Sequence, residues 1–409
     1  MATPPAVESV HATIAPADTL IAERRALYSL AVELLCPDMG EVTDDLLDSP
    51  PVRYLVGEAL AGRAGITRRE LIDAREALGA TRSAHGLPVI ADDRAHVPLT
   101  PLLQIIQTQP GLRMLTSGRR FEQAFSIVEQ GVLLAQKVSP GLVEDLLAHV
   151  NLFAVLDPDT SQGLASASSR YFPGLVLIDA PATPIEVAEG LVHEAAHQKF
   201  FDFAITRQFL GLESDTAEEF VTPWSNKSWP MEQTVAAWHA YTCMHRFAAD
   251  AGVTGGHCAV GPGSLLPKAA ERAAELGRWL VEHAELLGED ARVLLKGLLA
   301  LPELPHRETA HAAFAITGRL APDPIVRLGR RMAGGRGIVA RTVSPLELYW
   351  IDPDAADVLQ LIGDQADELD VDELVSRLTE QWVVSPEVAR DRASTGLRGL
   401  LHWQLIRSS

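Results

Sequence analysis

Residues Gly190 to Phe201 read GLVHEAAHQKFF, placing His193, Glu194 and His197 in the spacing H-E-x-x-H. On a helix, positions i and i+4 share one face, a turn apart. Two imidazoles so placed converge on a single cation, while the carboxylate next to the first His projects beside it. A chance pair of solvated histidines would show the same spacing. The surroundings argue against chance: a strand-like apolar run precedes the motif, a helix cap follows that run, and the opposite helix face is apolar. His193 and His197 are therefore read as metal ligands, with Glu194 as the catalytic candidate between them.

The third ligand decides the chemistry. The zinc-peptidase extension H-E-x-x-H-x-x-G-x-x-H fails, because Phe200 and Phe203 stand where the Gly and last His belong. A two-His, one-Glu zinc site would draw on a downstream Glu. Glu213, Glu218, Glu219 and Glu232 are available, in or around a polar, loop-like stretch. His239 is the better candidate. It lies mid-helix in WPMEQTVAAWHAYTCMHRFAAD, flanked by Ala236, Ala237, Trp238 and Ala240, with no polar face to explain it. The plain alternative is a core histidine that binds nothing. His245, six residues on, is off the His239 face.

The elements that must position these residues are legible around them. Tyr171 to Asp179, YFPGLVLID, suits a buried strand. Thr183 then offers an N-cap, Pro184 fits the first helical position, and Glu186 sits where a capping-box carboxylate belongs. This motif helix is predicted to run past Phe201, with Ile185, Ala188, Val192 and Ala195 as one apolar stripe. A second helix starts at Pro230 and stops before Gly255 and Gly256, and a third, KAAERAAELGRWLVEHAELLG, is amphipathic. From about Leu20 to Val155 the pattern is mainly helical and reads as scaffold. GGRG, Gly334 to Gly337, reads as a hinge. Beyond it come a strand-like LELYWID and three helices, starting after Pro353, at Asp370 with Glu373 in the capping-box position, and at Ser385 with Pro386.

The predicted fold is mainly α with α+β character. It comprises a flexible N-terminus over 1–20, a helical metal-binding domain over 21–333 with its core at 166–298, and a winged-helix-like domain over 337–409. A chain of 409 residues is long enough for two or three such cores. Its formal charge is −19, from 54 acidic and 35 basic residues, which opposes general nucleic-acid binding and an anionic membrane surface. Cys36, Cys243 and Cys258 are too few and scattered for a disulfide framework. No apolar run approaches the ~20 residues of a membrane span. The N-terminus lacks a secretory pattern, so a cytoplasmic setting is expected.

LVLIDAPATPIEVAEGLVHEAAHQKF followed by TPWSNKSWPMEQTVAAWHAYTCMHRF resembles the H-E-x-x-H peptide-modification proteins of ribosomally made natural products. That family was first taken for peptidases and is now read as 2-oxoglutarate-dependent peptide β-hydroxylases with non-haem iron. The similarity covers roughly 166–298. It rests on the apolar strand, the H-E-A-A-H core, Pro223-Trp224 and the Pro-initiated helix with its central His. The resemblance implies His193, His197 and His239 as iron(II) ligands, with 2-oxoglutarate as co-substrate and O2 as oxidant. Where NKSWP stands, a more Arg-rich linker is the family's habit. Residues from about 337 to 409 resemble the PqqD-like RiPP recognition elements. These small winged-helix domains bind a precursor peptide's leader as an extra strand.

The implied 2-oxoglutarate needs a cation for its distal carboxylate. Arg246, two turns beyond His239, ranks first, then Arg207 near the end of the motif helix, then Lys227. Trp224, Trp229 and Tyr241 are candidates to line a peptide pocket, or to pack in the core. Two other readings stay open. One is a zinc metallopeptidase acting on a precursor peptide, with zinc(II) completed by a downstream Glu and Glu194 as general base. The other is a non-catalytic peptide-binding scaffold with structural histidines.

Overall fold

The computed structural model describes residues 6–78, 81–106, 111–211, 218–253, 260–304, 319–332, 335–364 and 368–408. Helices dominate and the strands form small sheets, a mainly α architecture with α+β character. Glu213, Cys258, the pair Gly255 and Gly256, and Gly334 lie outside the described residues. The chain divides into two compact units. One comprises 1–25, 41–55 and 67–307, the other 26–40, 56–66 and 308–409. Among the described residues, no helix is long and apolar enough to cross a membrane.

The first unit is built on a sheet of β1 (Thr81–Ala84), β2 (Leu87–Ile90), β3 (Met114–Leu115), β4 (Leu152–Leu156), β5 (Ser166–Ser168) and β6 (Leu175–Asp179). Its order is β1-β2-β4-β6-β5, with β3 also on β4. Strands β2, β4 and β6 run parallel, and β5 is an antiparallel edge strand on β6. Residues 152–156, LFAVL, were read with the helical scaffold but form a central strand whose five residues are all buried. A short continuous apolar run fits a strand covered on both faces as well as it fits a buried helix.

The motif helix spans Pro184–Thr206, and both its faces are largely buried. Its buried polar side chains, Glu194, Gln198, Lys199 and Asp202, are each hydrogen-bonded, as burial requires. It packs against a backing helix, Gly118–Val138, and a following helix, Met231–Asp250. The backing helix turns Phe121, Phe125, Val128, Val132 and Ala135 inward, a three- and four-residue repeat. Gly131 sits at its closest approach to the motif helix, where an added Cβ would lie 2.3 Å from Val187 Cβ and 2.9 Å from the Pro184 carbonyl oxygen. Below the motif helix, Asp202 accepts from Arg24 and from His149 Nδ1 at 2.6 Å, all three fully buried.

The described residues 6–20 correct the expectation of a flexible segment over 1–20. Val7–Ile14 is a helix in which Val7 and His11 are buried. Val7, Val10 and Ile14 give it one apolar face, and Val10 and Ile14 pack at Gly297 of the helix Glu289–Leu298.

The second unit contains β10 (Val326–Arg331), β11 (Gly337–Arg341) and β12 (Glu347–Ile351) as an antiparallel sheet, following the β7 (Phe220–Val221) and β8 (Ser228–Trp229) hairpin of the first unit and β9 (Arg319–Pro322). Three helices follow, Pro353–Gly363, Val371–Trp382 and Pro386–His402, giving the winged-helix-like pattern. Each start is capped: Asp352 accepts from the Ala355 N–H, Asp370 from Asp372 and Ser385 from Val388. Glu373 takes no part in the cap and pairs with Arg377 instead. A second small sheet joins β9 to β13 (Leu369–Asp370) and β14 (Ile406–Ser408). Of the segment read as a hinge, the described residues 335–337 lie at the β10–β11 connection, where the Met332 N–H donates to the Arg336 carbonyl and Gly335 adopts φ +86°. The sheet therefore begins before residue 337.

Candidate functional site

Thr183 caps the motif helix through the Glu186 N–H, while the Glu186 carboxylate accepts from the Ala182 N–H at 2.9 Å. The cap fixes where the helix begins, and Gly190 lets it approach the sheet. A Cβ there would lie 3.0 Å from Ile178 Cδ1 and 3.5 Å from Ser166 Cβ. That approach brings Glu194, one turn on, against the edge strand. Ser166 Oγ donates to its Oε1 at 2.7 Å, and Ser168 Oγ to its Oε2 at 2.6 Å.

His193 and His197 then point together. Their Nε2 atoms are 3.2 Å apart and both rings are half-buried. Two nitrogens bound at 2.0–2.1 Å to one ion at an angle between square and tetrahedral lie roughly 2.8–3.4 Å apart. The pair fits a cation. Burial, and next the charge of His193, push the His197 pKa down to about 4, so its imidazole is neutral and able to ligate. Burial opposes ionisation of Glu194. His193, His197 and the two serine hydroxyls outweigh it and hold the carboxyl below its ordinary value.

The pair opens on a cavity of about 830 Å³. One wall is the edge strand and its continuation, Ala167 to Tyr171. The other is the following helix, through Glu232, Gln233, Ala236, Ala237 and Tyr241. Glu232 forms an ion pair with Arg170 across it. Trp229 also lines the cavity, whereas Trp224 lies behind, packed edge-on against Trp229 and Tyr241 with ring centroids 5.8 and 6.1 Å away. The Tyr241 hydroxyl accepts from Arg272 at 2.5 Å.

His239 does not join His193 and His197. Its Nδ1 lies 3.1 Å from the Ala196 carbonyl oxygen and its Nε2 3.0 Å from His11 Nε2. The helix explains this. Residues 237 and 241 face the cavity, and two steps of about 100° from residue 237 turn residue 239 to the opposite side. Among the described residues, a geometry able to hold a metal with three His, Cys, Asp or Glu groups occurs at His11, His239 and Cys243.

The proposed carboxylate partners are also elsewhere. Arg246 pairs with Glu8 and Asp250, and Arg207 with Glu23; neither lines the cavity. Helical spacing points to Arg246 and the helix end to Arg207, but Glu8 and Glu23 from other elements hold them, with Asp250 of the same helix also on Arg246. Lys227 sits in the β7–β8 turn, its N–H donating to Thr222 Oγ1. Glu218 and Glu219 are exposed. Of the acidic candidates, Glu232 is in the cavity wall. Arg170, overlooked in the sequence, is the cation there. No motif marks it, and its signal is its place next to the strand that precedes the motif.

Comparison of the chain with protein-family models and with curated proteins yields no match.

Proposed function

We propose that this chain is a non-haem iron(II), 2-oxoglutarate-dependent hydroxylase acting on the β-carbon of a residue in a ribosomally made precursor peptide. The observation that carries the proposal is the convergence of His193 and His197 at 3.2 Å on the wall of a large cavity bounded by a sheet edge. Two imidazoles plus one carboxylate, with open positions, suit iron(II) oxygenases. His193 and His197 would hold the metal. Glu232, which lines the same cavity, would complete the set only on leaving Arg170 and moving toward the imidazoles, and the Arg170 guanidinium would then be available to a carboxylate of the co-substrate. When bound, iron(II) with 2-oxoglutarate and O2 supplies the oxidation of a β C–H to C–OH, with succinate and CO2 as co-products.

Glu194 favours this reading over hydrolysis. Both its oxygens are engaged by serine hydroxyls, which makes it an anchor between helix and strand rather than a base free to take a proton from water. The peptide substrate is supported by the edge strand β5, which among the described residues pairs on one side with β6. An extended peptide can add to such an edge and lie across the cavity. In the second unit, β12 is likewise an edge strand, as leader binding by strand addition requires.

The test is intact-mass analysis of a candidate precursor core peptide, incubated anaerobically with the protein, iron(II) and 2-oxoglutarate before air is admitted. Gain of one oxygen atom with matching succinate supports the proposal. A peptide cleaved with zinc and indifferent to 2-oxoglutarate would replace it with a metallopeptidase.

A further inference from the structure

Away from the cavity, four helices meet at three buried groups that the proposed reaction does not use. His11 comes from the first helix, and His239 and Cys243 lie one turn apart on the following helix; their exposures are 0%, 2% and 0%. Asp145, from the helix Pro140–Leu147, and the Ala196 carbonyl, from the motif helix, face them.

The hydrogen bonds fix the protons. The Lys199 ammonium, which can only donate, gives a hydrogen bond to Asp145 Oδ1 at 2.8 Å and another to the Ala15 carbonyl at 2.8 Å. Asp145 is therefore the accepting carboxylate, and its Oδ2, 2.7 Å from His11 Nδ1, requires a proton on that nitrogen. The Ala196 carbonyl likewise accepts, so the His239 proton is on Nδ1. A neutral imidazole has one N–H. Both Nε2 atoms consequently present lone pairs, and they face each other at 3.0 Å. Cys243 Sγ lies 3.9 Å from His239 Nε2.

Two buried lone pairs held face to face need a positive group. We propose that His11, His239 and Cys243 form a second, structural metal site for a thiophilic ion of the zinc class, which fastens the first helix to the core. Tetrahedral zinc places its nitrogen ligands about 3.3 Å apart, and nitrogen and sulfur about 3.6 Å apart, from bond lengths of 2.0–2.1 and 2.3 Å. The observed separations of 3.0 and 3.9 Å bracket these values. Asp145 and the Ala196 carbonyl play the part that outer partners play for zinc-bound imidazoles, fixing the tautomer and aiming Nε2. Binding would remove the Cys243 thiol proton, giving the ion a thiolate. The alternative positive group is a shared proton. It would set a buried imidazolium near the Lys199 ammonium and leave the sulfur without a role.

This site does not depend on the hydroxylase reading, and the test separates the two. The full-length chain is loaded with cobalt(II), and the near-ultraviolet sulfur-to-cobalt charge-transfer band is recorded. The band is expected in the wild type and in the His193→Ala, His197→Ala double variant, and is expected to be lost in Cys243→Ala but not in Cys36→Ser. Elemental analysis should show one ion fewer per chain in Cys243→Ala and His11→Ala. Should either variant fail to fold, the zinc-edge X-ray absorption spectrum of the unaltered zinc-loaded protein decides, with a sulfur neighbour at about 2.3 Å expected. Absence of the band and of that sulfur, or a band that survives Cys243→Ala, overturns the proposal and leaves a shared proton.

Discussion

His193 and His197 face each other through their Nε2 atoms at 3.2 Å, while His239 turns away to His11 at 3.0 Å. The cavity metal is accordingly predicted to depend on the first two histidines and not on His239. His193→Ala or His197→Ala should weaken metal binding at the cavity by roughly a hundredfold or more, beyond the range seen for outer-sphere partners. His239→Ala should leave that affinity within a few-fold. Chelator-competition titrations with iron(II) measure both, and equal loss in all three variants would return His239 to the cavity site.

Ser166 and Ser168 tie Glu194 to the edge strand. Removing either hydroxyl leaves one oxygen of a buried carboxylate short of a donor, at a cost of about 1.5–3 kcal/mol. Urea unfolding of Ser166→Ala and Ser168→Ala should show that loss as a lower midpoint with unchanged slope. A loss below about 0.5 kcal/mol in both would mean that water or another group replaces the hydroxyls.

Gly131 lets the backing helix touch the motif helix. Alanine would gain up to about 1 kcal/mol of helix propensity, but its Cβ meets Val187 and a backbone carbonyl, neither of which moves freely. Gly131→Ala is predicted to be destabilising by roughly 1–3 kcal/mol net and, by shifting the motif helix, to reduce cavity metal affinity. Thermal unfolding and metal titration of the variant check both effects, and a stabilised variant with unaltered affinity would refute them.

Acid stability should depend on Asp202. Burial alone would raise its pKa, but Arg24 and the hydrogen bond and charge of His149 outweigh burial and hold it below 3.8. A carboxylate depressed in the folded state contributes stability above its unfolded value, and loses it as pH falls through the folded one. Asp202→Asn should cost about 1.5–3 kcal/mol near neutrality, since it removes one of the two carboxylates on buried Arg24 while Asp48 remains. The gap between wild type and variant should narrow as pH falls below about 4. Parallel unfolding curves at pH 7 and 3 measure it, and a gap that widens in acid would reverse the assignment.

Much of this architecture was written in local patterns. Thr183-Pro184 and Ser385-Pro386 start helices because a side-chain oxygen and a preset φ act within four residues. The H-E-x-x-H spacing reported which two imidazoles converge, since a single helix sets that geometry. What one element could not report was its partner. His239 was legible as an unusual buried histidine, yet its neighbour His11 is 228 residues away and sat in a segment read as flexible. The Val7, Val10 and Ile14 spacing was the available signal for that helix. Arg207 and, in part, Arg246 are misplaced for the same reason, because Glu23 and Glu8 reach them from distant elements, whereas Asp250, one turn on from Arg246, was legible. LFAVL was misassigned because a five-residue apolar run carries no period.

The His193 and His197 cavity is predicted to bind iron(II) together with 2-oxoglutarate, and an anaerobic optical titration tests this without any peptide. Adding 2-oxoglutarate to the iron(II)-loaded chain should produce a saturable visible metal-to-ligand charge-transfer band, absent in His193→Ala and present in His239→Ala. No band from the loaded wild-type protein, or one indifferent to His193, would mean that the cavity is not an iron(II) and 2-oxoglutarate site.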